Sequence, residues 1–298
     1  MASLKSFSNN QQSLAYAYLL PAFLVMGVVV LWPFVYNVVI SFSNMNLTNF
    51  HNWKIIGISN YLKVFEDANF WYFFWKSMLW TALNLIFHVS FGVFLAILLN
   101  KKLPGTPLLR ILLILPWAVP QYITALTWRG MFNYEYGAIN LVLSQLGIAP
   151  VEWLSTEWGA FFACTITNIW LGIPFMMIVA LGGLQSIPAD LYEAAEIDGA
   201  SSWFQFWNIT VPLLKPVMVP AITLGVIWTF NNFNVIWLVS NGGQPSDSSH
   251  LLISWVYKSG LNYMNMSYAA AFSMVIFAIL LVFGSNFIKR TKGTESVY

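Results

Sequence analysis

Long apolar stretches alternate with short polar segments along the whole chain. Six of these stretches come close to or exceed the roughly 20 residues that a helix needs to cross a bilayer. The first is too long for the core of a signal peptide and lacks a cleavage site. The pattern therefore predicts an all-α polytopic membrane protein in which residues 1–298 form a single transmembrane domain with six spans: 14–42, 70–99, 108–131, 158–184, 217–239 and 268–288.

Composition supports a membrane protein. Hydrophobic residues make up 58% of the chain and charged residues only 8%, whereas a soluble domain carries about 25% charged residues. The formal net charge of +2 gives no reason to expect a nucleic-acid partner. The single cysteine, Cys164, excludes an internal disulfide and a cysteine-based metal cluster. We expect no metal and no cofactor.

The distribution of lysine and arginine predicts how the spans are oriented. With the N-terminus inside the cell, the inner segments hold Lys5, Lys101, Lys102, Arg110, Lys215, Lys289, Arg290 and Lys292, and the outer loops hold only Lys54, Lys63 and Lys258. Lys76 and Arg129 lie near outer helix ends, from which long side chains can snorkel to the interface. The positive-inside rule therefore places both termini and residues 185–216 on the cytoplasmic side of the cell (inner) membrane.

The polar segment between the fourth and fifth spans, residues 185–216, holds four of the eleven carboxylates. We expect a short helix from Asp190 to Asp198, because Asp190 and Glu193 have capping-box spacing. Gly199 stands where helices often end in a left-handed turn. Ala194 and Ala195 leave one side of this helix thin, so another protein surface could approach its backbone.

A second short helix is expected directly after that turn. Ser202 and Gln205 repeat the capping-box spacing. Pro212 and Pro216 are expected to end this helix before the fifth span begins. The alternative is an ordinary interhelical loop that happens to carry two capped helices.

The motifs Glu193-Ala194-Ala195, Asp198-Gly199-Ala200 and Ile209-x-Val211-Pro212 resemble the EAA loop of the permease subunits of ATP-binding-cassette (ABC) importers. Val211 stands where that family usually has leucine. The resemblance implies that residues 185–216 are a cytoplasmic loop that docks into a cleft on an ATPase subunit. It assigns ATPase coupling to Asp190, Glu193, Ala194, Ala195, Asp198 and Gly199.

The sequence lacks the residues expected for ion coupling, ATP binding or catalysis. Every aspartate and glutamate falls in a loop or at a helix edge, whereas proton- and sodium-coupled carriers usually need an ionisable relay in mid-membrane. The phosphate-binding motif G-x-x-x-x-G-K-[ST] is absent, so energy from ATP would have to come through a partner. His88 in the second span is expected to be a packed or interhelical hydrogen-bonded residue. No catalytic residue is expected, and the protein is not expected to be an enzyme.

The fifth span carries an unusual group of polar residues, Trp228-Thr229-Phe230-Asn231-Asn232-Phe233-Asn234. Amides near mid-membrane are costly without a partner. Asn231 and Asn234 are three residues apart and therefore share one face of a continuous helix. Amides satisfy sugar hydroxyls and aromatic rings cover sugar C–H faces, so the group suits a neutral sugar. The alternative is that each asparagine joins helices within the bundle.

Further segments are similar to the maltose and maltodextrin-type branch of sugar ABC permeases: 114–120, Phe132-Asn133 with Gly137, Ile139 and Asn140, 170–177 and 231–234. The resemblance implies that Phe175, Phe230, Asn231 and Asn234 line a sugar site. The family often has an aromatic hydroxyl where Phe175 stands.

The same resemblance implies the partners: a second homologous permease subunit, two ATP-binding-cassette ATPase subunits and an extracytoplasmic binding protein that delivers a neutral oligosaccharide. Another sugar, or a glycerol-phosphate ester, is an alternative substrate. A phosphorylated substrate would favour arginine or lysine in the cavity. A carrier or channel that works without ATP and a structural scaffold are the competing classes.

Overall fold

A computed structural model of the protein describes residues 2–101, 104–262 and 264–291. Lys102 and Lys292, both predicted to be cytoplasmic, lie outside the described residues. The helices are α1 (Ala2–Met26), α2 (Trp32–Ser41), α3 (Ser59–Glu66), α4 (Ala68–Asn100), α5 (Thr106–Ala118), α6 (Gln121–Met131), α7 (Ala138–Gln145), α8 (Glu157–Ser186), α9 (Asp190–Ile197), α10 (Ser202–Gln205), α11 (Val211–Phe230), α12 (Phe233–Val239), α13 (Leu252–Tyr257) and α14 (Met266–Thr291). π-helical turns cover Gly27–Leu31, Phe206–Thr210 and Lys258–Asn262.

The chain forms two compact units. One comprises Met1–Asp67 and Tyr257–Val275, and the other comprises Ala68–Val256 and Ile276–Tyr298. The expectation of a single domain over residues 1–298 stays a prediction.

Helices long and apolar enough to cross a membrane confirm the all-α polytopic class. Among the described residues they are Leu14–Ser41, Ala68–Asn100, Glu157–Ser186, Ser202–Val239 and Met266–Lys289. The predicted third span, 108–131, is instead a pair of helices, α5 and α6, bent by 92°. The bend lies at Val119, whose backbone is extended because the residue before a proline is disfavoured in the helical region. Counting this pair as one broken span gives six spans.

Hydrogen bonds hold the polar segment of the first unit in place. Ser43 and Ile55 form an isolated antiparallel bridge. The buried side chain of Asn60 donates to the Ser43 carbonyl at 2.7 Å. The Tyr268 hydroxyl donates to the Asp67 carboxylate at 2.8 Å. These bonds tie the segment that follows α2 to the beginning of α14.

In the second unit, α4 and α8 pack closely along their lengths. Gly92 of α4 lies at a close approach to α8, where a Cβ atom would stand 2.6 Å from the Cβ of Met176 and 2.9 Å from the backbone nitrogen of Met177. The Trp80 indole donates to the Thr229 carbonyl at 2.9 Å and so joins α4 to α11. These three helices form the frame of the second unit.

We expect Gly92→Ala to lower the thermal stability of the purified protein, because the new methyl group would meet the backbone of α8. Overpacking of this kind costs about 1 to 3 kcal/mol. Gly182→Ala in α8 is the matched control, since nothing lies within 4 Å of its added Cβ and alanine alone favours a helix by roughly 1 kcal/mol over glycine. Equal unfolding midpoints for the two variants would contradict the close packing at Gly92.

Lys76 lies differently from our expectation. It does not snorkel from a helix end but is buried, with 4% of its surface exposed. Its Nζ lies 2.9 Å from Glu157 Oε1 at the start of α8 and donates to the Ser248 carbonyl at 2.6 Å. The Tyr72 hydroxyl also donates to Glu157. A charge within an apolar bundle needs such partners, since an unpaired one is expensive to bury.

Candidate functional site

A cavity of about 600 Å³ opens in the second unit. This size is typical of small-molecule sites, which span roughly 300 to 1,000 Å³. Its wall is drawn from α4, α8 and the ends of four other helices: His88, Trp117, Ala118, Val119, Pro120, Gln121, Asn168, Leu171, Gly172, Phe175, Met176, Gly225, Trp228, Thr229, Asn231, Asn232, Phe233 and Asn234. No charged side chain is among these lining residues.

Two interruptions of helical backbone meet at this cavity. One is the bend between α5 and α6, and the other separates α11, which ends at Phe230, from α12, which begins at Phe233. The expectation that Asn231 and Asn234 share one face of a continuous helix is therefore wrong. The physical reason is that asparagine side chains compete for backbone groups. Asn231 donates to the Ile227 carbonyl at 3.0 Å, and the Asn232 oxygen caps α12 by accepting from Val235 N at 3.2 Å.

One side-chain contact joins the two interruptions. The Asn234 amide nitrogen donates to Gln121 Oε1 at 3.0 Å. Gln121 begins α6, directly after Pro120, and was not among the predicted site residues. Pro116 and Pro120 were the signal in the sequence that the third span is broken. The cavity therefore lies where two broken helices face each other, an arrangement found at the binding sites of many transporters.

Aromatic rings cover another part of the wall. The Phe175 ring lies 5.2 Å from the Trp228 ring and 6.2 Å from the Trp117 ring, measured between centroids. Phe175 lines the cavity, and its assignment to a sugar site stays a prediction. Phe230 does not line it, because its side chain is only 1% exposed and packs in the core. Trp117 was not predicted as a site residue.

A chain of amide groups runs through the bundle beside the cavity. The Asn168 amide of α8 donates to Asn84 Oδ1 of α4 at 2.8 Å. The Asn232 amide, at the interruption before α12, donates to Asn168 Oδ1 at 2.7 Å. His88 Nε2 lies 2.9 Å from the Asn168 carbonyl, which confirms its expected interhelical hydrogen bond. For Asn232, the structure therefore provides the partner within the bundle that a buried amide needs.

The loop between α8 and α11 contains the expected short helix, α9, over Asp190–Ile197. Gly199 follows in the left-handed conformation with φ of 76°, as predicted. The Ala200 N–H donates to the Ala195 carbonyl at 2.9 Å, and the Gly199 N–H donates to the Glu196 carbonyl at 3.0 Å. These two bonds form a Schellman motif, which ends the helix and fixes the direction in which the chain leaves it.

The predicted capping residues of this loop are wrong by one position. The N-cap of α9 is Ala189, without a side-chain hydrogen bond, so Asp190 and Glu193 lie in the first helical turn instead. Ser201, rather than Ser202, caps α10 by accepting from Phe204 N at 3.3 Å. Glu193 is exposed, and its negative charge interacts favourably with the positive end of the helix dipole.

The second short helix does not stop at the prolines. From Ser202, helical backbone continues through the π-helical turn Phe206–Thr210 into α11 and past Pro216. Pro212 directly follows the π-helical turn, in which the Val211 N–H donates to the Phe206 carbonyl, so the regular i→i−4 bonding is already displaced where the proline lacks an N–H. Membrane helices tolerate interior prolines when neighbouring groups satisfy the freed carbonyls. The part of the expected loop that begins at Ser202 is therefore continuous with the helix of the fifth span.

Comparison with known proteins agrees with this architecture. Residues 88–291 match the family described as the binding-protein-dependent transport system inner membrane component. The trehalose/maltose transport system permease protein MalF of Thermococcus litoralis is 36% identical to this chain, over 94% of each. The sulfoquinovosyl glycerol transport system permease protein SmoG of Agrobacterium fabrum is 33% identical, over 94% of this chain and 91% of the relative.

A further relative and one solved structure are similar over much of the chain. The maltose/maltodextrin transport system permease protein MalF of Klebsiella aerogenes is 38% identical over 80% of this chain and 49% of its own length. A bacterial ABC transporter involved in the import of the acidic polysaccharide alginate has the same fold, with a TM-score of 0.82 at 21% identity, over 96% of this chain and 98% of that one.

The fold and these relatives define the class of the protein: it is a multi-pass membrane component of a transport system and not an enzyme. Within that class, the chain belongs to the family of binding-protein-dependent transport system inner membrane components, the permease subunits of ABC importers.

Proposed function

We propose that the protein is the permease subunit of an ATP-driven importer that translocates a neutral oligosaccharide of the maltose or maltodextrin type. The observation that carries this proposal is the cavity between the two broken helices, which combines amides with aromatic rings and has no charged group among its described lining residues. Amide groups pair with sugar hydroxyls, and the rings of Phe175, Trp117 and Trp228 offer flat apolar faces for sugar C–H groups.

The names of the relatives support a sugar as the substrate. They include trehalose, maltose and maltodextrin, and also sulfoquinovosyl glycerol and galactooligosaccharides. Among these, the neutral glucosides suit the uncharged wall best, because an anionic group would be left without a cationic partner there.

The proposed complex contains a second homologous permease subunit, two ATP-binding-cassette ATPase subunits and an extracytoplasmic binding protein that delivers the sugar. Both termini and residues 185–216 lie in the cytoplasm, as the distribution of lysine and arginine favours. Helix α9 docks on an ATPase subunit through its exposed residues, among them Glu193, Ala194 and Ile197, whose side chain is 87% exposed. ATP-driven closure of the ATPases moves α9 as a rigid body and changes the access of the cavity.

Uptake of radiolabelled maltose by the reconstituted complex tests the cavity. Asn231→Ala and Asn234→Ala are expected to reduce uptake while the complex still assembles, because each sugar hydroxyl left without its partner loses about 1 to 3 kcal/mol. Thr127→Ala is the control, since its hydroxyl also bonds to a carbonyl four residues earlier but lies outside the cavity. Unchanged uptake in both asparagine variants would place the sugar site elsewhere.

A further inference from the structure

His88 occupies a defined place in the cavity wall. It lies on α4, only 4% exposed, and is one of the residues that line the cavity. Its ring rests against Gly172 of α8, where a Cβ atom would clash with the imidazole. Its Nε2 bonds to the Asn168 carbonyl at 2.9 Å. Contacts on two sides therefore hold the ring in one orientation.

That orientation defines the role of each ring nitrogen. A carbonyl oxygen can only accept, so Nε2 must carry the proton that it donates to Asn168. In a neutral imidazole the other nitrogen, Nδ1, is then an acceptor. Nδ1 makes no hydrogen bond to another described residue, and it is not one of the described side-chain atoms that are sealed away from solvent without a partner. This acceptor is therefore accessible from the cavity.

The amide nitrogens at the two interruptions are donors. Asn231 and Asn234 each present an NH₂ group at the cavity wall. A sugar hydroxyl both accepts and donates, so the wall must offer it acceptors as well as donors. Nδ1 of His88 adds an acceptor to this wall at a position fixed by the contacts of its ring with Asn168 and Gly172.

We propose that His88 is a further substrate-contacting and specificity-determining residue, which accepts a hydrogen bond from a sugar hydroxyl at Nδ1. This inference rests on the proposed function, because it requires a hydroxylated substrate in the cavity. It gives His88 two separate roles: Nε2 holds α4 to α8, and Nδ1 selects the sugar.

Two substitutions separate these roles. In His88→Gln, the side-chain amide nitrogen reaches the position of Nε2 and can still donate to Asn168, but no acceptor remains at Nδ1. In His88→Asn, the shorter side chain places an amide oxygen near the position of Nδ1, but it cannot reach the Asn168 carbonyl. The first variant keeps the helix contact, and the second keeps the acceptor.

The experiment measures uptake of radiolabelled maltose into proteoliposomes that contain the whole complex, per amount of assembled complex. His88→Gln is expected to assemble with a normal unfolding midpoint and to lose about tenfold in uptake, as for one unpaired hydroxyl. His88→Asn is expected to have a lower unfolding midpoint but to lose less uptake than His88→Gln, because an acceptor remains available to the hydroxyl.

Monodeoxy analogues of maltose identify the hydroxyl concerned. The wild type should transport one analogue about tenfold less well than maltose. His88→Gln should transport that analogue and maltose equally well, because the variant already lacks the hydrogen bond that the missing hydroxyl would make. The inference is overturned if His88→Gln transports maltose like the wild type, or if only His88→Asn loses uptake. If the wild type transports neither maltose nor trehalose, the proposed function fails together with the inference.

Discussion

Gly199→Val is expected to uncouple sugar uptake from ATP hydrolysis in the reconstituted complex. Gly199 holds a left-handed backbone at the end of α9, with φ of 76° and open space around its Cα. A side chain in that conformation costs roughly 1 to 2 kcal/mol, and a β-branched one is at the upper end. Relief of this strain would change the turn and re-aim α9 relative to its docking cleft. A change of this size shifts an equilibrium by a factor of about 5 to 30.

A matched control separates re-aiming from simple destabilisation. Gly147 ends α7 with φ of 75°, again has nothing within 4 Å, and forms the same Schellman bonds through its own N–H and that of Ile148. Gly147→Val therefore introduces equal strain far from the coupling loop in the sequence. Maltose-stimulated ATP hydrolysis and co-purification of the ATPase subunits should fall only in Gly199→Val. Equal losses in both variants would show that the turn at Gly199 has no special part in coupling.

Glu193→Gln should have a smaller effect at the same loop. It removes an exposed charge from the first turn of α9 without disturbing the backbone, and single exposed charges contribute only about 0 to 1 kcal/mol. We expect weaker docking of the ATPase subunits with normal membrane insertion.

The second large effect is expected from Lys76→Met. Removing one member of a buried ion pair costs about 3 to 5 kcal/mol, because the other charge is left without its partner. The Glu157 side chain retains 30% exposure, so a loss of about 3 kcal/mol in the free energy of unfolding is expected. The measurement is the thermal unfolding midpoint of the purified protein. Lys54→Met, at an exposed position, is the control and should leave this midpoint unchanged.

A double substitution tests whether the two charges act as a pair. Lys76→Met combined with Glu157→Gln removes both charges and should recover most of the lost stability, since replacing a whole buried pair is often neutral. If the double variant is as unstable as the sum of the single variants, the coupling energy is zero and the contact does not stabilise the fold.

Patterns of hydrophobicity predicted the long, uninterrupted helices well. The expected spans 70–99 and 158–184 correspond to Ala68–Asn100 and Glu157–Ser186. The turn at Gly199 was also predictable, because a left-handed glycine after a helix depends on local backbone chemistry alone. The interruptions at 119–120 and 231–232 were not predicted, since hydrophobicity reports on the solvent around a segment and not on its backbone conformation.

Contacts between distant parts of the chain could not be predicted from the sequence, for a different reason. Lys76 meets Glu157 across 81 residues, and Asn168 meets Asn84 across 84. A lysine near a helix end, or an asparagine within an apolar run, has the same local sequence whether it faces lipid or a partner helix. Only the packing of α4 against α8 brings these groups together, and that packing depends on many side chains at once.

The link between Asn234 and Gln121 has a consequence for how freely the cavity wall can rearrange. At Val119 and Asn232 the backbone has already left the helical conformation, so the series of helical hydrogen bonds is interrupted after these residues. The side-chain bond between the two interruptions contributes only about 0.5 to 1.5 kcal/mol net. This bond therefore does little to keep the two halves of the wall together. Their relative position depends mainly on the apolar core, in which Ala125 of α6 and Val235 and Ile236 of α12 are buried.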